Sequence, residues 1–243
     1  SSDQMLLRDQ ARKFLENEES VKKAREVLEG DQTHDESLWR SVVEMGWTAT
    51  TIPEEFDGLG LSYLELCVIA EELGRSLAPT PFSSSVYLAT EALINQGSKE
   101  QHQKYLPKLA AGEIVGTLAH TETTNSPSPE NLNCELSNNK LNGIKIAVTD
   151  GDVANFAVVS AKEGDKVVLG LVDLASKGVE ITSQNTLDPS RSHASIKFKD
   201  ADAEILGSSQ DGWVALQEIL DHAAVLFAFE QLGGAEACMD MAK

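Results

Sequence analysis

Basic residues are in short supply. The 243 residues include 20 lysines and arginines against 39 aspartates and glutamates, a formal charge of −19, and the acids are spread along the chain instead of gathered in a tail. Nucleic acid is disfavoured as a partner, because phosphate contacts need a basic surface that releases counterions. An anionic ligand would have to be held by local donors against an unfavourable overall field. Cysteine is scarcer still. Cys67, Cys134 and Cys238 are odd in number and widely separated, with no C-x-x-C pair and no histidine at metal spacing. This predicts a reducing compartment and no zinc site. Also missing is an apolar run near the roughly 20 residues of a membrane helix, and the start, SSDQMLLRDQ, has neither the basic flank nor the apolar centre of a signal peptide. These absences predict a cytoplasmic protein with no membrane span. What is present, 41% hydrophobic and 24% charged residues, suits a folded chain of one large or two modest domains.

The first half of the chain has helical punctuation. Met5, Leu6, Ala11, Phe14, Leu15, Val21, Ala24 and Val27 recur at about helical spacing and predict one amphipathic helix to about Leu28. A second, short helix is expected from Ser37 to Met45, stopped by Gly46. Residues 52–61, with one proline and two glycines, read as a loop. Ser62 to Glu65 is a capping box opening a helix that runs through Leu73 and closes at Gly74. A helix from about Ser84 to Asn95 follows Pro79 and Pro81, and a second capping box, Ser98 to Gln101, opens another. After Gly112 the pattern changes to short β-rich runs: 116–120, 134–136, 140–148, 156–161, 167–172, 179–182 and 194–198. Turn clusters such as Asn142-Gly143 and Asp150-Gly151 separate them, which predicts an antiparallel barrel or sandwich. From Asp211 a helical pattern returns and reaches Lys243 without a stop signal.

The local strings fall in a familiar order. Met45-Gly46-Trp47 followed by residues 52–61, then Glu71-Glu72-Leu73-Gly74-Arg75, Gly97-Ser98-Lys99-Glu100-Gln101, residues 105–113, and Leu141-Asn142-Gly143-Ile144-Lys145 together resemble the acyl-CoA dehydrogenase family. The resemblance covers essentially the whole chain. Residues 78–82, 187–191 and 229–235 look most like its bacterial branch acting on steroid side chains and other bulky acyl groups, often built from two unlike subunits. The fold implied is α+β: an N-terminal all-α domain at 1–113, a middle β domain at 114–208, and at 209–243 the first helix of a C-terminal helical bundle that is otherwise missing. A helix of roughly 30 residues without a stop would leave apolar surface in water unless something covers it.

The resemblance implies FAD as cofactor and an acyl-CoA as substrate. A base would remove the α-proton, the flavin would accept the β-hydride, and electrons would pass to an electron-transfer flavoprotein or similar acceptor. The assembly would be a homo- or hetero-oligomer. The family's T-E-P-x-A-G-S-D loop reads here His120-Thr121-Glu122-Thr123-Thr124-Asn125-Ser126-Pro127-Ser128, keeping Thr121 and Glu122 but not the G-S-D end. Its W-I-T run reads Ala147-Val148-Thr149, so Thr149 matches the threonine near the flavin while Ala147 replaces an indole worth about 200 Å² of contact. Cofactor contacts are therefore expected from Leu118, His120, Thr121, Ser126, Val148 and Thr149, and CoA contacts from Ser128 and Arg191.

No family base is present. Alignment through Gln231-Leu232-Gly233 puts Ala223 at the alternative base position, just after Asp221 and His222. The rival to an enzyme is thus a non-catalytic subunit of a heteromeric dehydrogenase, or a binding protein without redox activity. His222 reads as structural, Glu230 as a helix side turned to solvent or to a missing domain, and Arg191 equally as a surface arginine. Glu54-Glu55 and Glu71-Glu72 read as solvated or capping pairs.

Overall fold

The computed structural model describes residues 1–207 and 211–243. The domain boundary expected at 208/209 lies outside the described residues.

The N-terminal segment forms two helices, not one: α1 (Ser2–Asn17) and α2 (Ser20–Glu29). Glu19 between them has a left-handed φ of 53°. The bend lets Ala24 and Val27 of α2 reach the core that Ala11 and Leu15 of α1 also enter. Lys23 fixes the corner by pairing with Glu18 at 2.8 Å and Asp35 at 3.6 Å. Asp35 in turn caps α3 (Glu36–Glu44) by accepting from the Leu38 amide. A loop with two short 3₁₀ turns, Trp47–Ala49 and Glu54–Phe56, follows.

Ser62 and Glu65 form the expected capping box at the start of α4 (Tyr63–Arg75). Gly74 does not close that helix; it lies inside it. Glu72 is also not a solvated acid. It is buried and takes a bidentate pair from Arg12, at 2.9 and 2.6 Å, which fastens α1 to α4. The next helix has unusually wide turns. Residues Ser83–Thr90 are π-helical and entirely buried, then continue as α5 (Glu91–Gln96). The Ser98 to Gln101 capping box opens α6 (Lys99–Ala110).

The β layer is a closed barrel of seven strands, β1 (Gly116–Ala119), β2 (Glu135–Ser137), β3 (Lys140–Thr149), β4 (Phe156–Glu163), β5 (Lys166–Asp173), β6 (Val179–Gln184) and β7 (His193–Ile205). β4 pairs with β5 on one edge and with β1, then β2, on the other, and β3 and β7 complete the ring. Most neighbours are antiparallel, but β1 and β2 both run parallel to β4. β7 is the long spine, bonded to β3 on one side and to β6 and β5 on the other. Small and branched side chains on β4 and β5 fill the interior, including Ala157, Val158, Val159, Leu169, Leu171 and Val172.

Asp211 caps α7 (Gly212–Ala242), a 31-residue helix. By length and composition α7 could cross a membrane. Here it lies along α4 with Leu216, Ile219, Ala223 and Leu226 buried along one face, while much of the rest of the helix is exposed. Two glycines set the α4–α7 distance. A Cβ on Gly233 would stand 1.8 Å from the Glu71 carbonyl oxygen, and one on Gly74 would stand 2.1 Å from that of Glu230. Both glycines are therefore packing residues, and backbone meets backbone where they lie.

Gly233→Ala or Gly74→Ala should cost about 2–3 kcal/mol, the upper range for overpacking, since a backbone atom cannot move aside as a side chain can. Gly234→Ala is the control. Its Cβ would meet the nearest atom at 3.6 Å, so it should raise stability by up to about 1 kcal/mol through helix propensity. Chemical denaturation of the three variants checks the ordering.

Candidate functional site

A buried charge pair organises the site. β3 alternates Leu141, Gly143, Lys145 towards the barrel interior, so its lysine is carried into the core and is fully buried. A buried ammonium is tolerable only if paired and hydrogen-bonded. Lys145 Nζ donates to Glu122 Oε1 at 2.8 Å and to Ser160 Oγ of β4 at 3.0 Å. Glu122 also accepts from the Asn133 amide at 2.6 Å and the Cys134 amide at 3.0 Å. One carboxylate thus ties both ends of the loop between β1 and β2 to the barrel wall. Burial lowers the pKa of the Lys145 ammonium, with Glu122 and Cys134 opposing. Burial alone would raise the Glu122 carboxyl, but Lys145 and the two amides outweigh it and hold it below the usual carboxylate range.

The anchored loop lies against the end of β3. Thr121 accepts the Ile146 amide through its carbonyl at 2.9 Å, which puts the His120–Glu122 string beside the Ala147–Thr149 string. Between Lys145 and Val148 the β3–β7 register slips. Ala147 sits on that bulge, exposed, with a left-handed φ of 50° and its amide donating to Gln184 Oε1 at 3.1 Å. Thr149 is the best fixed of the expected residues. Its carbonyl accepts from Thr117 Oγ1 at 2.7 Å, its backbone pairs with His193, and its hydroxyl has only a long 3.4 Å contact with His193 Nε2. His120 Nδ1 is buried without a partner, and burial, aided by the charge on Lys145, holds the imidazole pKa below its ordinary value.

The remaining expected residues divide. Leu118 and Val148 have their side chains in the barrel core. Ser126 is exposed on the loop, and Ser128 closes a local turn by accepting the Asn131 amide. Arg191 is part-exposed and engaged within the protein. Its guanidinium reaches Glu230 of α7 at 2.5 Å and lies 5.9 Å from the Phe227 ring centroid. Glu230 correspondingly faces inward and is not turned to solvent. Ala223 is buried in α7 and offers a methyl group where a base would stand. His222 meets the buried Glu91 carboxylate at 2.6 Å. Among the described residues no group of three or more histidines, cysteines or acids could hold a metal, and the three cysteines are free thiols. Lys145, Ser160, Gln184 and His193 are parts of the site that motif reading missed.

Residues 1–113 match the family model described as acyl-CoA dehydrogenase, N-terminal domain. An acyl-CoA dehydrogenase of Mycolicibacterium smegmatis is 30% identical over 99% of this chain and 63% of its own length. The chain belongs to the acyl-CoA dehydrogenase family. The mitochondrial isovaleryl-CoA dehydrogenase of Solanum tuberosum is also 30% identical, over 85% of this chain and 54% of its own. A solved steroid ACAD variant superposes with a TM-score of 0.85 at 26% identity, over 99% of this chain and 65% of that one. A glutaryl-coenzyme A dehydrogenase in complex with glutaryl-CoA, at 22% identity and a TM-score of 0.90, shows the same fold. The chain spans little more than half the length of the curated relatives it matches.

Lys145→Met should cost about 3–5 kcal/mol, because it leaves the Glu122 carboxylate buried without its countercharge. Ser160→Ala should cost about 1 kcal/mol, one hydrogen bond. The sign of the pH effect follows from the depressed Glu122 pKa. Its stabilisation is complete above the ordinary carboxylate pKa and is lost as pH falls through the lower folded value. Acid titration of loop amides 121–134 should show this loss in the wild type and not in Glu122→Gln.

Proposed function

We propose that this chain forms the flavin-facing part of an FAD-dependent enzyme that oxidises an acyl-CoA to the trans-2-enoyl-CoA. The observation that carries the reading is the juxtaposition of two distant strings. The Glu122–Lys145 pair, the Thr121–Ile146 bond and the Thr117–Thr149 bond hold the segment carrying Thr121 alongside the end of β3 that carries Thr149, the two residues that resemble the family's flavin contacts. The available donors fit such a ligand. The Thr149 hydroxyl is engaged only by the long His193 contact, and the buried His120 Nδ1 has no partner. Thr121, Thr149 and His120 would hold the isoalloxazine end, and FAD when bound would accept the hydride.

The family chemistry also needs a proton acceptor. Ala223 is not one, so this chain contributes orientation at that position and not acid–base chemistry. Together with Ala147 this favours a second reading, a subunit that completes its site only with an unlike partner. A steroid or other bulky acyl group, as in the steroid ACAD, is the substrate class we favour, in lipid or steroid degradation related to β-oxidation, with an electron-transfer flavoprotein as acceptor. We retain 1–113, 114–208 and 209–243 as the functional units, and a cytoplasmic location.

FAD titration monitored by flavin absorbance and fluorescence tests the proposal. One FAD per chain is expected, with Thr149→Val weakening affinity by about 3- to 10-fold, the value of one hydrogen bond. Binding only upon co-expression with an unlike partner would select the second reading. A chain that takes up no FAD under either condition would overturn both.

A further inference from the structure

We propose that Asp150 is a positioning residue that locks the end of β3, and with it Thr149, to the π-helical segment on one side and to the lead-in of β7 on the other. The inference deepens the flavin reading and rests on it for its functional meaning.

Asp150 directly follows Thr149, at the point where β3 turns with a left-handed φ of 53°. It is 2% exposed, an expensive place for a carboxylate without strong partners. Its side chain and main chain are both engaged. Oδ2 accepts from Ser84 Oγ at 2.6 Å, and its amide donates to the Ser192 carbonyl at 2.8 Å. Its carbonyl accepts from the Val153 and Ala154 amides at 3.0 and 2.9 Å. A single residue therefore joins the helical layer, β3 and the approach to β7.

The Ser84 bond is the decisive one. Ser192 Oγ lies 3.4 Å from Asp150 but 2.6 Å from Asp152, so its one proton goes to Asp152. Ser84 Oγ also lies 3.0 Å from the Pro81 carbonyl, yet the shorter contact is to the charged acceptor, the stronger type of bond. With so few donors, burial pushes the Asp150 carboxyl up to about 6, Ser84 and Arg191 acting against it. Ser84 belongs to the run Ser83–Thr90, whose wide turns are typical of functional sites. Asp150 thus fastens an irregular helix to the residue before it in sequence, Thr149. That threonine needs a fixed backbone, because its hydroxyl is held only by the long His193 contact.

The test compares Asp150→Ala, Ser84→Ala and Asp150→Asn in the full chain, by amide hydrogen exchange and FAD titration. Ser84→Ala removes the same bond from the far side and protects the test against an Asp150→Ala that fails to fold. Ser84→Ala, and Asp150→Ala if folded, should raise exchange in residues 83–90 and 149–154 together and weaken FAD binding about tenfold, the value of one charge-assisted hydrogen bond. Asp150→Asn keeps an acceptor for Ser84 and should restore both readouts. Increased exchange confined to the mutated element, or unchanged FAD affinity beside a loosened lock, would overturn the proposal. A wild-type chain that binds no FAD would overturn the flavin reading instead, and the exchange data alone would then decide whether the lock exists.

Discussion

The buried pair of Lys145 and Glu122 is the constraint on which the candidate site depends. An ammonium fully removed from water in a barrel wall cannot be left unpaired, and among the described residues the carboxylate that reaches it comes from the loop after β1. Once Glu122 is drawn in, its second oxygen collects the Asn133 amide and its first is shared with that of Cys134. The loop is then pinned at both ends, and the exposed stretch between them, including Ser126, is left to vary. This explains how the chain can keep Thr121 and Glu122 of the family pattern while losing its G-S-D end. The part that resembles the family pattern holds the structure, and the part that departs from it lies where the structure makes few demands.

A second constraint acts on the helical side. Gly74 and Gly233 let two backbones touch, so α7 has a fixed position along α4. That position brings Glu230 to Arg191 and Phe227 to the Tyr87 ring, at 5.6 Å between centroids. The three strings that resemble the branch acting on bulky acyl groups contribute to this region: Phe82 packs on Tyr87, and Arg191 reaches Glu230. Their spacing in sequence looks unrelated, yet Arg191 and Glu230 join two of them across the boundary between α7 and the approach to β7. A part-exposed ion pair of this kind contributes little net stability.

Most of the fold was legible because its signals are local. Capping boxes at Ser62 and Ser98, the turn at Asp150-Gly151 and alternation in the strands place nearly every element within a few residues, whereas Asn142-Gly143, expected as a turn, lies inside β3 at a slip in its pairing with β7. The failures were tertiary. Glu19 bends the first helix so that both halves reach one core, which periodicity cannot show because both halves keep the helical repeat. Gly74 resembles a stop signal until the partner helix is present. Glu72 and Glu230 resemble surface acids, since their partners, Arg12 and Arg191, lie 60 and 39 residues away in sequence. Lys145 did give a warning: a lysine on the inward-facing side of an apolar strand requires a buried carboxylate somewhere.

The site was legible only as matched letters. Thr121 and Thr149 could each be proposed as a flavin contact, but what sets their segments side by side lies in Glu122, Lys145 and the Thr121–Ile146 and Thr117–Thr149 bonds. The same logic separates orientation from chemistry in this chain. Residues that fix backbone near Thr149 are well provided: Thr117 holds its carbonyl and His193 pairs with its strand. Residues that would move a proton are not, since Ala223 is a buried methyl and His222 is directed at Glu91. Ala223, a small apolar residue, packs well inside α7. Substitution of Lys145 or Gly233 would disturb everything around it. The scaffold residues are the ones whose chemistry the fold itself enforces.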